Sequence, residues 1–346
     1  LRTVLKNEPD NTMAKMVFMD YYKEKGLDSL YNSMLYQVLT SKNTETTDKI
    51  NMLRNIVSDN ERNGADSTKV IKLFRDVLTV SPNDADMTEL LASYMILKKM
   101  PTDSVAPVLH RIITIAPEKA YARLQLIGYA WSAKNLDDVI TLCRPALQYN
   151  PDEMPFYYYL GLAYYQKNMS DEALSTFQKG VSVITAQSDA SIVSDFYAVM
   201  GDILHDKGRS KEAFAAYDSC LQWKDDNIGC LNNYAYYISL TGNDLGRAEQ
   251  MSYKTVKAEP TNSTFLDTYA WILFLQKRYE AAKLYIDQAL INNVDSSAVI
   301  IEHAGDIYAL NKNIDKAVEL WKRAADISKD NKLLIRKIKL KKYIRE

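Results

Sequence analysis
The sequence predicts an all-α protein, a superhelical α-solenoid of stacked helix-turn-helix units. Three observations carry this reading. A small residue flanked by bulky ones recurs at Ala92, Gly128, Gly161, Gly201, Ala235, Ala270 and Gly305, at steps of 36, 33, 40, 34, 35 and 35 residues. A fixed period of this size marks a repeat array. Within each unit the apolar residues recur at i, i+3, i+4 and i+7, the spacing that lines one face of a helix. Glycine and proline number 11 and 9 among 346 residues, too few for an all-β chain with its many tight turns.

Taken in chain order, Leu1–Pro9 reads as the end of an earlier unit and Asn11–Asn43 as an irregular helix pair. Thr46–Asn63 and Asp66–Asp84 form the next pair, closed by Ser81-Pro82. Residues 1–84 are thus a looser N-terminal section whose start looks truncated. Residues 85–330 form a regular array, expected to be one curved body without separable domains. In its clearest units a second small residue follows twelve positions after the first: Ala173, Ala213, Ala282 and Ala317. A bulky residue comes four further on, at Phe177, Tyr217, Ile286 and Trp321. Gly180, Cys220, Ala289 and Ala324 follow three later. Small residues let two helix backbones approach closely at a crossing. Pro82, Pro117, Pro151 and Pro260 sit where second helices should stop.

Three joints depart from the pattern. The 40-residue step places about six extra residues near 183–191. One extra residue falls near 241–245. Arg144-Pro145 lies inside a second helix and predicts a kink there. Nine helix pairs are expected, followed by a basic cap helix over residues 331–346.

At these residues the chain resembles the tetratricopeptide-repeat family. The best unit is Met154–Gln187, with Tyr157, Leu160, Gly161, Tyr164, Ala173, Phe177 and Gly180 at the motif positions. The resemblance covers 85–330 well and 1–84 loosely. It implies a right-handed superhelix whose first helices face a concave groove. It also implies a partner-binding surface of Gln125, Tyr129, Tyr158, Tyr165, Asp202, His205, Asn232, Tyr236, Asp267, Trp271, Phe274, Glu302 and Asp306. Phe265–Trp271 and Ile301–Asp306 are similar to the last repeats of large bacterial multi-repeat proteins. Many of those are lipoproteins of the Gram-negative cell envelope. That likeness implies a lipid anchor and further repeats ahead of Leu1; a cytoplasmic location is the alternative.

The chemistry in the sequence is that of binding. Lys+Arg is 43 and Asp+Glu 44, a net charge of -1, which gives no global attraction to nucleic acid. No apolar run reaches the length of a membrane span. The three histidines, His110, His205 and His303, lie in different repeats without metal-ligand spacing, and each reads as an isolated surface or packed imidazole. Cys143, Cys220 and Cys230 read as small core residues, with a Cys220–Cys230 bridge as the alternative. No catalytic residue, metal site or cofactor is expected. The expected function is a non-catalytic scaffold for protein segments. An RNA-binding helical-repeat protein, or an enzyme using groove carboxylates such as Asp202 or Asp267, are the alternatives.

Partner charge can also be read. Some relatives grip a C-terminal carboxylate with Lys, Asn and Arg. The matching positions here are Tyr158, Leu162, Asn232 and Tyr236, which have no basic set. The groove acids Asp202, Asp267, Glu302 and Asp306 point to a neutral or basic peptide segment. Lys329–Glu346 carries eight basic residues and two acids, net +6. It reads as a solvated cap, with Leu334, Ile335 and Ile338 docking on the last repeat; an anionic partner or membrane surface is the alternative.

Overall fold
The computed structural model describes residues 2–293 and 297–345, and it is helical throughout. Twenty helices and no strand occur among the described residues. Leu1 and Glu346, the ends of the expected first unit and cap, lie outside them. The chain forms two compact units, Leu1–Val183 and Ile184–Glu346. The boundary between them falls at the joint near 183–191.

The first unit opens with α1 (Arg2–Asn7) and continues as five helix pairs. These are α2 (Thr12–Glu24) with α3 (Asp28–Leu39), α4 (Thr46–Asn63) with α5 (Ser67–Val80), and α6 (Ala85–Leu97) with α7 (Thr102–Ile115). Next come α8 (Ala120–Ser132) with α9 (Leu136–Tyr149), and α10 (Met154–Gln166) with α11 (Ser170–Val181). Phe74, Leu91, Leu109 and Leu126 belong to one continuous core that runs from Met19 into α8. Helix α9 runs unbroken through Pro145, and α7 does the same through Pro107, which the sequence reading passed over.

The second unit holds four pairs and a final helix. The pairs are α12 (Ala190–Asp206) with α13 (Ser210–Trp223), α14 (Ile228–Thr241) with α15 (Leu245–Ala258), α16 (Ser263–Leu275) with α17 (Tyr279–Asn292), and α18 (Ala298–Leu310) with α19 (Ile314–Ile327). Helix α20 (Lys332–Leu340) packs on α19. First helices of successive repeats also touch, α12 with α14, α14 with α16 and α16 with α18, so they share one face. Leu266, Ile286, Ile301, Trp321 and Leu334 share the core of the later repeats.

The spacing of small and bulky residues has a direct steric cause. A Cβ placed on Gly161 would stand 2.6 Å from the Phe177 ring, and one on Gly201 or Gly305 would run into Tyr217 or Trp321. In each case the ring comes sixteen residues later, from the second helix of the pair, and occupies the space a side chain on the first would need. Gly128 differs, with nothing within 4 Å of such a Cβ. Its sixteenth residue is Arg144, whose guanidinium instead donates to the Tyr164 hydroxyl at 2.8 Å.

Turns inside the pairs are equally regular. Lys99, Lys134 and Asn168 in the first unit, and Gly208, Lys277 and Lys312 in the second, take left-handed backbone angles just after a first helix. A left-handed lysine costs about 1–2 kcal/mol. Backbone bonds such as Met100 N–H to the Met95 carbonyl, 3.1 Å, close the helix end and offset that cost. Many first helices are capped by Asp or Asn: Asp84, Asp189, Asn227 and Asn262 each accept a backbone N–H of the opening turn, as Asn331 does for α20.

Candidate functional site
A cavity of about 480 Å³ opens in the second unit. Its walls come from first helices, through Leu240 of α14, Trp271 and Leu275 of α16, and Val299, Glu302, His303 and Asp306 of α18. Helix α20 and its cap add Asn331, Leu333 and Lys337, and the segment after the helix adds Tyr343, Ile344 and Arg345. Side chains one repeat apart point into the same space, because the period returns each first helix to the same face.

The floor is a buried charged network. His303 Nδ1 lies 3.0 Å from each carboxylate oxygen of Asp267. Lys337 donates to Asp306 at 2.7 Å and to Glu302 at 2.8 Å. Trp321 Nε1 donates to the other Asp306 oxygen at 2.9 Å, and Asn331 donates to Glu302 at 2.9 Å. Burial pushes the His303 imidazole down, but the Asp267 charge and hydrogen bond, aided by Asp306 and Glu302, carry it above its ordinary value. Burial also works against the Lys337 ammonium, and Asp306 and Glu302 again outweigh it, so Lys337 stays charged. Burial raises the Asp306 carboxyl, with Lys337 and His303 opposing.

Above the floor lies an aromatic wall. The Trp271 and His303 rings stack at 4.0 Å, and Trp271 stacks on Phe274 at 4.9 Å. Tyr236 stands 6.4 Å from His303. Trp271 Nε1 is buried and has no hydrogen-bond partner among the described residues, as does Asn232 Oδ1.

The structure thus brings Tyr236, Asp267, Trp271, Phe274, Glu302 and Asp306 together. Asp267, Phe274 and Asp306 lie beneath the surface at 6%, 3% and 2% exposure, and Asn232 is buried beside Asn233. Asp202 accepts from Tyr217 at 2.5 Å and from Asn233 at 3.0 Å, and burial raises its carboxyl. His205 stacks on Tyr237 at 3.5 Å. The candidates of the first unit form a separate set. Tyr129 packs against its core, Tyr158 meets Tyr159 edge-on at 5.5 Å, and Gln125 and Tyr165 are half-buried.

Two residues of the site escaped the sequence reading. His303 is no isolated imidazole, for it pairs with Asp267 36 residues earlier. Lys337 is not part of a solvated cap, since it is 2% exposed and reaches Glu302 35 residues earlier. Each separation is one repeat, and that was the available signal. Leu334 docks as expected and Ile338 packs against the core, but Ile335 is 52% exposed.

The described residues hold no group of three or more His, Cys, Asp or Glu able to bind a metal ion. Cys143, Cys220 and Cys230 are free and buried. Ser239 lines the cavity near the Asp267–His303 pair, but its hydroxyl donates to the Tyr236 carbonyl at 2.6 Å. No helix among the described residues is long and apolar enough to cross a membrane.

Comparisons with known proteins agree with this architecture. Residues 194–227 match the tetratricopeptide repeat family model. The chain is similar in structure to the APC/C hetero-tetramer Cut9-Hcn1, at TM-score 0.56 and 13% identity over 90% of this chain and 64% of that one. It thus spans just under two thirds of that relative. It is also similar to Pseudomonas aeruginosa PilF, at TM-score 0.52 and 15% identity over 64% of this chain and 96% of that one. A tetratricopeptide repeat protein from Parabacteroides merdae aligns at TM-score 0.49 and 12% identity, over 74% and 98% of the two chains. No curated protein matches the sequence. The chain is a multi-helix repeat protein with the tetratricopeptide-repeat fold. Proteins of this kind generally bind other proteins or peptides and are generally non-catalytic.

Proposed function
We propose that the protein is a non-catalytic scaffold that holds extended segments of partner proteins on the faces of its first helices. The observation that carries this is the cavity of about 480 Å³ whose walls come from α14, α16, α18 and α20 together. A stacked array offers such a face without rearrangement, and rigid aromatic walls give contact area at low entropic cost.

The partner segment is neutral to basic, and apolar contact rather than charge holds it. Asp202, Asp267, Glu302 and Asp306 all have internal partners, so little of their charge faces outward. The residues named in the first unit, Gln125, Tyr129, Tyr158 and Tyr165, would form a second contact area. The likeness of Phe265–Trp271 and Ile301–Asp306 to large bacterial multi-repeat proteins, many of them lipid-anchored, favours a cell-envelope location, which fractionation of the source cell tests.

A crosslinking pull-down comparing the wild type with Tyr236→Ala/Trp271→Ala tests the scaffold reading. Circular dichroism confirms that the variant is folded. A protein captured by the wild type and lost by the folded variant is the expected result. Equal capture by both would remove the first-helix face as the binding surface.

A further inference from the structure
The segment that follows α20 does not leave the molecule. Helix α20 ends at Leu340, where Lys341 turns the chain with a left-handed φ of 47°. Tyr343 then lies edge-on against Phe274, with ring centroids 5.3 Å apart and planes at 84°. Phe274 belongs to α16, so the segment reaches back past α18 to the preceding first helix. The Lys337 ammonium sits 5.8 Å from the centre of the Tyr343 ring. Tyr343, Ile344 and Arg345 line the same cavity as Trp271 and Val299. Among the described residues, no hydrogen bond joins residues 343–345 to the rest of its wall; Tyr343 is the anchor, through its ring contact with Phe274 and its packing against the core.

We propose that residues 341–345 are a built-in strap, occupying in cis part of the place that a partner segment takes in trans. The partner segment then shares the strap's chemistry: an aromatic side chain for the Phe274 and Lys337 surface, followed by an aliphatic one. This deepens the scaffold reading and rests on it. A tethered occupant competes at a high effective concentration, so it weakens every ligand of the same site until it is displaced. Ring contacts without hydrogen bonds suit a contact that must be exchanged.

The test uses the full chain and a fluorescent peptide of the strap's own sequence, LKKYIR, read by polarisation. Tyr343→Ala opens the site, and the peptide should bind it about tenfold or more tighter than it binds the wild type. Tyr343→Phe keeps the ring and should behave as the wild type. Adding Trp271→Ala to Tyr343→Ala should abolish the gain, with circular dichroism confirming the fold. Equal binding to wild type and Tyr343→Ala, binding to neither, or a gain that survives Trp271→Ala each overturn the strap. A cellular partner that depends on Trp271 but ignores Tyr343→Ala overturns the strap and leaves the scaffold standing. A partner that ignores Trp271, while the peptide still follows Tyr343, overturns the scaffold reading at this site alone.

Discussion

His303 of α18 and Asp267 of α16 form a buried pair, with Nδ1 3.0 Å from both carboxylate oxygens. The pair ties together two first helices that belong to neighbouring repeats. Trp271 stacks on the imidazole at 4.0 Å and fixes its plane. The wall of the cavity and the stability of the last repeats therefore depend on the same ring.

The pair makes the second unit sensitive to pH. Asp267 raises the folded-state value of His303 above the 6.5 of the free side chain, despite the opposing effect of burial. A group whose folded value is raised gives its full stabilisation below the unfolded value and loses it as pH rises through the folded value. The thermal midpoint of the second unit should fall as pH rises above about 6.5. His303→Gln should remove that slope. An unchanged slope in the variant would assign it to other groups.

Lys337 should be the costliest lysine of the C-terminal segment to replace. Lys337→Met leaves Glu302 and Asp306 buried without their cation, and removing one partner of a buried pair costs about 3–5 kcal/mol. Lys339→Met, at an exposed site, should stay within about 0.5 kcal/mol. Hydrogen exchange of α18 and α20 measures both, and similar effects of the two changes would contradict the buried network.

The glycines separate into two classes. Gly305→Ala forces Trp321 to move and should destabilise, by about 1–3 kcal/mol on the scale of overpacked cores. Gly128→Ala meets nothing within 4 Å and should stabilise α8 by up to about 1 kcal/mol through helix propensity. Denaturation midpoints of the two variants should shift in opposite directions.

The cysteines should be inert in the folded state. All three are buried thiols, and burial pushes Cys143 up to about 12, with Arg123 opposing. Burial disfavours the reactive thiolate at Cys143; at Cys220 the hydrogen bond with Cys230 lowers the thiol instead, and there exclusion of the reagent by the packed core protects it. Iodoacetamide at neutral pH should modify none of them until denaturant is added, as mass spectrometry can show. Rapid native labelling of Cys143 would contradict its placement in α9.

The helices were legible because the close approach of two backbones leaves a small residue at a fixed period. Thr46–Asn63 was read to the residue. The site was less legible because burial of a charge depends on its partner, and composition does not show partners. Lys337 was grouped with its basic neighbours, although Glu302 waited one repeat earlier. Asp267 and Asp306 were read as outward acids because the imidazole and ammonium that neutralise them come from other helices. The backward course of residues 341–345 had no periodic signal, since it lies beyond the last repeat.

Each glycine and the ring sixteen residues after it hold one shared volume. At Gly161–Phe177, Gly201–Tyr217 and Gly305–Trp321 the volume sits almost wholly on the second member, whereas Ala270 and Ile286 divide it more evenly. A mutational walk from one arrangement to the other must change both positions. Enlarging the glycine first drives it into the ring, and shrinking the ring first opens a void. Overpacking costs about 1–3 kcal/mol and emptying a ring's place about 3–5 kcal/mol, so neither first step is free and the pair resists change one residue at a time. The repeat of Gly128 and Arg144 stands outside that constraint and is free to drift.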